Sequence, residues 1–152
     1  MTIEERLAEL GLVLPETPKP AGAYVPAASA GDLLFVSGQL PLVQGRLRWK
    51  GRVGEEVSLE EAKEAAGTAA VNGLSVIKSM VSLDEVVRIV KLTGYVASAP
   101  DFFDQPQVIN GASELLEQVF GRAGRHARAA VGVSALPLGA PVEIEMIVQV
   151  KT

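Results

Sequence analysis

Apolar positions along the chain follow two rhythms, and the changes of rhythm mark the elements. Ile3, Leu7 and Leu10 form one helical stripe behind a Thr2-x-x-Glu5 capping box, so residues 3–10 are expected to be a short amphipathic helix ended by Gly11. Pro15, Pro18 and Pro20 make the next stretch an extended connector. Tyr24 to Ala30 and Leu33 to Gln39 read as two strands turning at Gly31-Asp32, and Pro26 puts the first at a sheet edge. Leu42 and Leu47 flank Gln44-Gly45, which suggests a second hairpin. Behind another capping box, Ser58-x-x-Glu61, the positions Leu59, Ala62, Ala66, Ala69, Ala70, Leu74, Ile77 and Val81 recur at helical spacing. They predict a helix over 59–80 with a small-residue face able to lie close to a sheet. Val86 to Ala97, rich in Val, Ile, Thr and Tyr, reads as a central strand. A helix over 102–120 ends at Gly121 and tolerates Pro106 only in its first turn. The last strands fall at 127–134 and 142–150, joined by the turn-rich segment Ser134 to Pro141.

The order of hairpin strands, helix, strand, helix, strand, strand predicts an α+β chain: a mixed sheet with two helices on one face, plus the short N-terminal helix. The other face is left uncovered, and burial in an oligomer is the simplest resolution. Residues 1–17, helix and connector, stand ahead of a single domain over 18–152, and deletion of residues 1–14 is expected to leave its core intact. Composition sharpens this picture at a few points. At 48% hydrophobic residues and mean hydropathy +0.27 the chain is too apolar for disorder, yet no run of apolar residues is long enough to span a membrane. The acidic opening lacks the marks of a signal peptide, and the absence of cysteine fits a reducing compartment, so the expected location is cytoplasmic. A single histidine excludes multi-histidine metal sites, and no run of acids shows the spacing of a carboxylate-only one, so no metal is expected. The net charge of −4 is a poor footprint for nucleic acid, despite the local cluster Arg122, Arg125 and Arg128.

Charges inside the two last strands are the strongest chemical signal. Alternation puts Arg128, Ala130 and Gly132 on one side of the first and Glu143 and Glu145 on one side of the second. A guanidinium among apolar residues needs a partner. One reading is a small carboxylate-bearing ligand, which a guanidinium grips with two parallel hydrogen bonds. The other is an Arg128–Glu pair on a solvated face, if the two strands are antiparallel neighbours. Ser37-Gly38 at a strand end offers a hydroxyl and open backbone to a ligand oxygen, or is only a turn. Tyr24 would cover a cleft or pack, and Asn110-Gly111 marks either a functional helix face or a tolerated irregularity. Ser134 and His126 lack the surroundings of a nucleophile and base.

Five segments in this order resemble the Rid family (reactive intermediate deaminases, YjgF-like proteins, also labelled endoribonuclease L-PSP). They are Pro20-Ala21-Gly22-Ala23-Tyr24-Val25, Val36-Ser37-Gly38-Gln39-Leu40-Pro41, Ile109-Asn110, Arg128-Ala129-Ala130-Val131-Gly132-Val133, and Leu136-Pro137 with Val142-Glu143-Ile144-Glu145. The resemblance implies a chorismate-mutase-like fold in a homotrimer with clefts between subunits. It also implies cofactor-free hydrolysis of 2-imino or enamine acids to 2-keto acids and ammonia. In such a site Arg128 would clamp the substrate carboxylate, the Ala130 carbonyl would orient water and Glu143 would assist proton transfer. Tyr24, Ser37, Gly38 and Asn110 would line the cleft. Two departures mark a divergent subgroup: Ala130 stands where archetypal members carry cysteine and Gly132 near where a larger or acidic residue is usual, and the N-terminal helix, the proline connector and the length around 44–56 exceed the compact archetype. A non-catalytic ligand-binding or chaperone-like trimer of the same fold is the alternative, and the ribonuclease label has no acid–base pair of histidines behind it.

Overall fold

A computed structural model describes residues 1–20 and 22–152, so Ala21 of the first resemblance segment lies outside the described residues. Helix α1 (Ile3–Glu9) begins on the reciprocal Thr2–Glu5 capping box and gives way to Leu10 as cap, with Gly11 at φ +71°. Its Leu7 is only 2% exposed and belongs to the main core, and the Ile3 N–H donates to Asp84 at 2.9 Å. The core thus draws on α1 through Leu7, so deletion of residues 1–14 would remove a buried side chain from it.

The main sheet has five strands: β1 (Ala27–Ala30), β2 (Leu33–Gln39), β5 (Val86–Ala97), β6 (Ala127–Val133) and β7 (Val142–Val150). A separate ribbon, β3 (Leu42–Val43) and β4 (Arg46–Leu47), turns through Gln44 and Gly45, both at positive φ. That pairing of conformations is what a two-residue hairpin turn matched to strand twist requires. The order in the main sheet is β1-β2-β7-β5-β6, antiparallel throughout except for β5 and β6, which run parallel. Strand β1 is an edge, as Pro26 directs, but it starts at Ala27, so Tyr24 precedes it in irregular chain.

One expected adjacency is overturned. Strands β6 and β7 are not antiparallel neighbours, because β5 lies between them and pairs with both. The cause is α3 (Gln105–Phe120), which carries the chain from β5 back to a parallel position on its far side. A parallel pair needs such a crossover, and the turn-rich loop after β6 then passes over the end of β5 to reach β7.

Helix α2 (Leu59–Met80) has the bounds its spacing predicts, opened by the Ser58–Glu61 capping box. Its Ala62, Ala65, Ala66, Ala69 and Ala70 are buried, and the helix packs on β7, β2 and α3. Helix α3 starts at Gln105 rather than 102, and Pro106 sits in its first turn, where a missing N–H costs nothing. A side chain at Gly111 would run into the Lys63 main-chain carbonyl on α2. That close approach accounts for a glycine inside a helix. Both helices cover one sheet face, where Leu34, Val36, Ile89, Leu92, Val96, Val142, Ile144, Met146 and Val148 are buried. The opposite face stays open and carries Phe35, Lys91, Thr93, Tyr95, Val131, Glu143, Glu145 and Ile147. Phe35 and Val131 are each 42% exposed there.

Candidate functional site

The predicted residues form two groups. The first is built on β6 and α3. Arg128 stands opposite Leu92 of β5 in the parallel register, and Leu92 is buried beneath the helices, so Arg128 shares the helix-covered side. Because β6 is an edge strand, the guanidinium reaches past the sheet to α3. There Nη1 donates to Asn110 Oδ1 at 2.7 Å and to Ser113 Oγ at 3.2 Å. Ser113 Oγ in turn lies 2.9 Å from His126 Nε2, and His126 Nδ1 lies 2.6 Å from the Gly124 carbonyl oxygen. Arg128, Ser113, His126 and Gly124 line an open cleft of about 240 Å³ together with Glu117 and Arg125. Ala130 follows Arg128 on the same side of β6, next to Gly94 of β5, and is part-buried against the core. Gly132 follows in turn, where a side chain would crowd the Gln105 amide and Ser98.

The second group is built on β2, β7 and the chain before β1. The β2–β7 register slips between Val36 and Gln39, and this bulge presents Ser37 and Gly38. Ser37 Oγ donates to the Val25 carbonyl at 2.6 Å, so its proton is committed and only its lone pairs face a ligand. A side chain at Gly38 would meet the Glu143 carboxylate, which lies against the bulge. Burial, helped by the neighbouring charge of Glu145, holds the Glu143 carboxyl above the usual carboxylate range. Glu145 accepts a hydrogen bond from the Tyr95 hydroxyl at 2.6 Å, and that bond is the main reason the phenol is pushed up to about 12. Tyr24 lines a small cavity of about 50 Å³ beside Gly38 and Gln39 and is half exposed.

Arg128 and Glu143 thus lie on opposite faces of the sheet. Two strand spacings, about 10 Å, also separate β6 from β7. The Arg128–Glu143 ion pair considered from sequence is absent, since the guanidinium contacts only neutral side chains. Arg125 is the member of the basic cluster that takes a carboxylate, Glu117 at 3.2 Å. Ser134 and His126 do not meet; the histidine bonds Ser113, and the Ser134 carbonyl accepts from Arg52. Sequence reasoning missed Ser113, whose signal was its i, i+3 spacing from Asn110 on one helix face. It also missed Tyr95, which takes its role only from the β5–β7 pairing. Among the described residues no three His, Asp or Glu side chains converge as metal ligands, and no helix is long and apolar enough to cross a membrane.

The sequence model of the family described as "YjgF/chorismate_mutase-like, putative endoribonuclease" matches residues 4–149. The chain belongs to the YjgF/Rid family. The match reaches further towards the N-terminus than the family-like motifs, which begin at Pro20, since it takes in most of α1. Within the family, the protein TCP17 of Trypanosoma cruzi is 41% identical over 149 residues, covering 97% of this chain and 93% of that one. A "putative endoribonuclease" of Shewanella oneidensis MR-1 superposes with a TM-score of 0.96 at 31% identity, over 99% of this chain and all of that one. RidA from an Antarctic Psychrobacter superposes with a TM-score of 0.61 at 27% identity, over 89% and 94% of the two chains. The YjgF/Rid fold, a mixed five-stranded sheet with two main helices and a short N-terminal one, is therefore shared with the Shewanella protein over nearly the whole chain.

Proposed function

We propose that the protein hydrolyses 2-imino and enamine acids to 2-keto acids and ammonia, in clefts where the Arg128 group of one subunit meets the Glu143 group of the next in a homotrimer. The observation that carries this reading is an arginine held in place by neutral partners alone. A guanidinium fixed without a countercharge is prepared for an anion, and a planar carboxylate is its best match. The likeness to RidA supports the choice of substrate class.

The reaction asks little of the protein. A protonated imine, R–C(=NH2+)–COO−, adds water at carbon; one proton passes from the added oxygen to nitrogen, the C–N bond breaks as the keto group forms, and the departing ammonia takes the second oxygen-bound proton to become ammonium. Positioning and one proton carrier are sufficient for such an electrophile. Arg128 holds the carboxylate, with Asn110 beside it. The Ala130 main-chain carbonyl orients the water, a function that needs no side chain and so survives the replacement of cysteine. Glu143, with its carboxyl raised by burial, exchanges the proton. Tyr24, Ser37 and Gly38 close the cleft around the substrate side chain. An endoribonuclease reading is disfavoured by the net charge of −4 and by the carboxylates Glu143 and Glu145 on the open face, which repel phosphates.

The test generates 2-imino acids from several amino acids with an amino-acid oxidase and follows their loss with and without the protein. Acceleration is expected, abolished in Arg128→Ala and strongly reduced in Arg128→Lys, whose point charge cannot grip two oxygens. Melting temperature should barely change in either variant, since no buried carboxylate is stranded; breaking a buried ion pair would instead cost about 3–5 kcal/mol. Full activity in Arg128→Ala overturns the assignment. Carboxylate binding without turnover in the native protein would replace it with a non-catalytic ligand-binding trimer.

A further inference from the structure

The hydrogen bonds behind Arg128 have a direction that the side chains alone would leave open. The Gly124 carbonyl oxygen can only accept, so His126 Nδ1, 2.6 Å away, must carry the proton. In the neutral ring Nε2 is then an acceptor, and Ser113, at 2.9 Å, must donate its hydroxyl proton to it. The Ser113 oxygen is left with lone pairs, one of which receives Arg128 Nη1 at 3.2 Å. The other Nη1 proton goes to Asn110 Oδ1 at 2.7 Å. Both protons of Nη1 are thereby used, while neither Nε nor Nη2 makes a hydrogen bond among the described residues. Those two nitrogens form the side-on edge of the guanidinium, with parallel N–H groups spaced for the two oxygens of one carboxylate. Glu117, which lines the same cleft, pairs through Oε1 with Arg125 and makes no ion pair with Arg128.

We infer that Ser113 and His126 are positioning residues: the chain Gly124 carbonyl, His126, Ser113 locks Arg128 so that its Nε–Nη2 edge, and no other, receives the ligand carboxylate. The inference rests on the assignment of Arg128 as carboxylate clamp and adds two residues and an approach direction to it. Without the chain, Arg128 keeps its charge and its bond to Asn110 but can rotate about that single anchor. Affinity then falls through lost preorganisation, while the chemistry at the imine carbon is left unchanged.

Pyruvate, the simplest 2-keto acid, serves as a probe that needs no turnover, with binding read by calorimetry. Ser113→Ala and His126→Ala are each expected to weaken it roughly tenfold, and the double variant no further, because both cut one chain. Ser113→Thr, which keeps the hydroxyl, should stay within about twofold of the native protein. In turnover, the same variants should raise KM and spare kcat. Unchanged affinity in both single variants, or losses that multiply in the double, overturns the relay. So does failure of threonine to rescue. A test free of any ligand comes from the imidazole nitrogen shifts of the protein's only histidine at pH 8, which must report the Nδ1–H tautomer; the Nε2–H form overturns the proposal even if every variant folds poorly. The outcomes for the underlying reading remain separate. Pyruvate binding that obeys the relay without imine hydrolysis overturns the deaminase assignment alone, whereas pyruvate binding indifferent to Arg128→Ala overturns the clamp and the relay together.

Discussion

Glu143 and Glu145 sit two apart on one strand and face the same way, and they differ in what each touches. Glu145 is held by the Tyr95 hydroxyl, while Glu143 lies in the bulge of β2 with its carboxyl raised by burial and by the charge of Glu145. Glu145→Gln removes that charge and so lowers the Glu143 pKa. Whether Glu143 acts first as base or as acid, the limb of the kcat/KM profile that it controls should move to lower pH. The same substitution leaves Tyr95 only a neutral acceptor and removes the Glu145 charge beside it, so the phenolate absorbance attributed to Tyr95 should appear below the native value of about 12. A limb that stays in place would remove Glu143 from proton transfer. At this scale much of the site was legible. Arg128 announced itself as a charge in an apolar alternation, and Ser37-Gly38 as a strand-ending break. Its partners were not legible, because parity fixes the face of a residue within its strand and says nothing about which strand or helix lies alongside.

Helices with capping boxes and uninterrupted periodicity were the elements the sequence defined best: α2 runs over its expected 59–80 because cap, alanine stripe and length all agree. Strand existence was equally clear, but strand neighbours were not. The β5–α3–β6 crossover puts β5 between β6 and β7, a choice made by packing of α3 on α2 through Gly111 rather than by any local signal. Helix α1 shows a related effect, since its stripe was visible and its destination was not. With Leu7 2% exposed in the core, Leu7→Ala should lower unfolding free energy by about 2–5 kcal/mol, read from urea midpoints. Removal of residues 1–14 should cost at least as much and still leave a cooperative transition. A truncated chain as stable as the whole would show that α1 only rests on the core.

At the scale of the whole molecule, the proposed trimer answers both the separation of Arg128 from Glu143 and the open sheet face. No movement of side chains brings the two residues together through a packed sheet. In that trimer a second copy would bring its Glu143 to the first copy's Arg128 while covering Phe35 and Val131, each 42% exposed, and a closed ring of such contacts would repeat the site at each interface. Phe35→Asp should therefore dissociate the assembly, seen by sedimentation, and abolish turnover although Arg128 is untouched and circular dichroism is unchanged. The decisive experiment mixes two inactive variants, Arg128→Ala and Glu143→Gln, after subunits have been exchanged. In a randomly mixed ring, a given interface takes its arginine from one subunit and its carboxylate from the next. Each is intact with odds of one half, so about a quarter of the native activity should return. If both residues of one site came from the same chain, every site in the mixture would carry one defect and nothing would return. Recovery near a quarter is accordingly the signature of a shared site, and a mixture as inactive as its parts would confine the chemistry to single subunits and overturn the assembly proposed here.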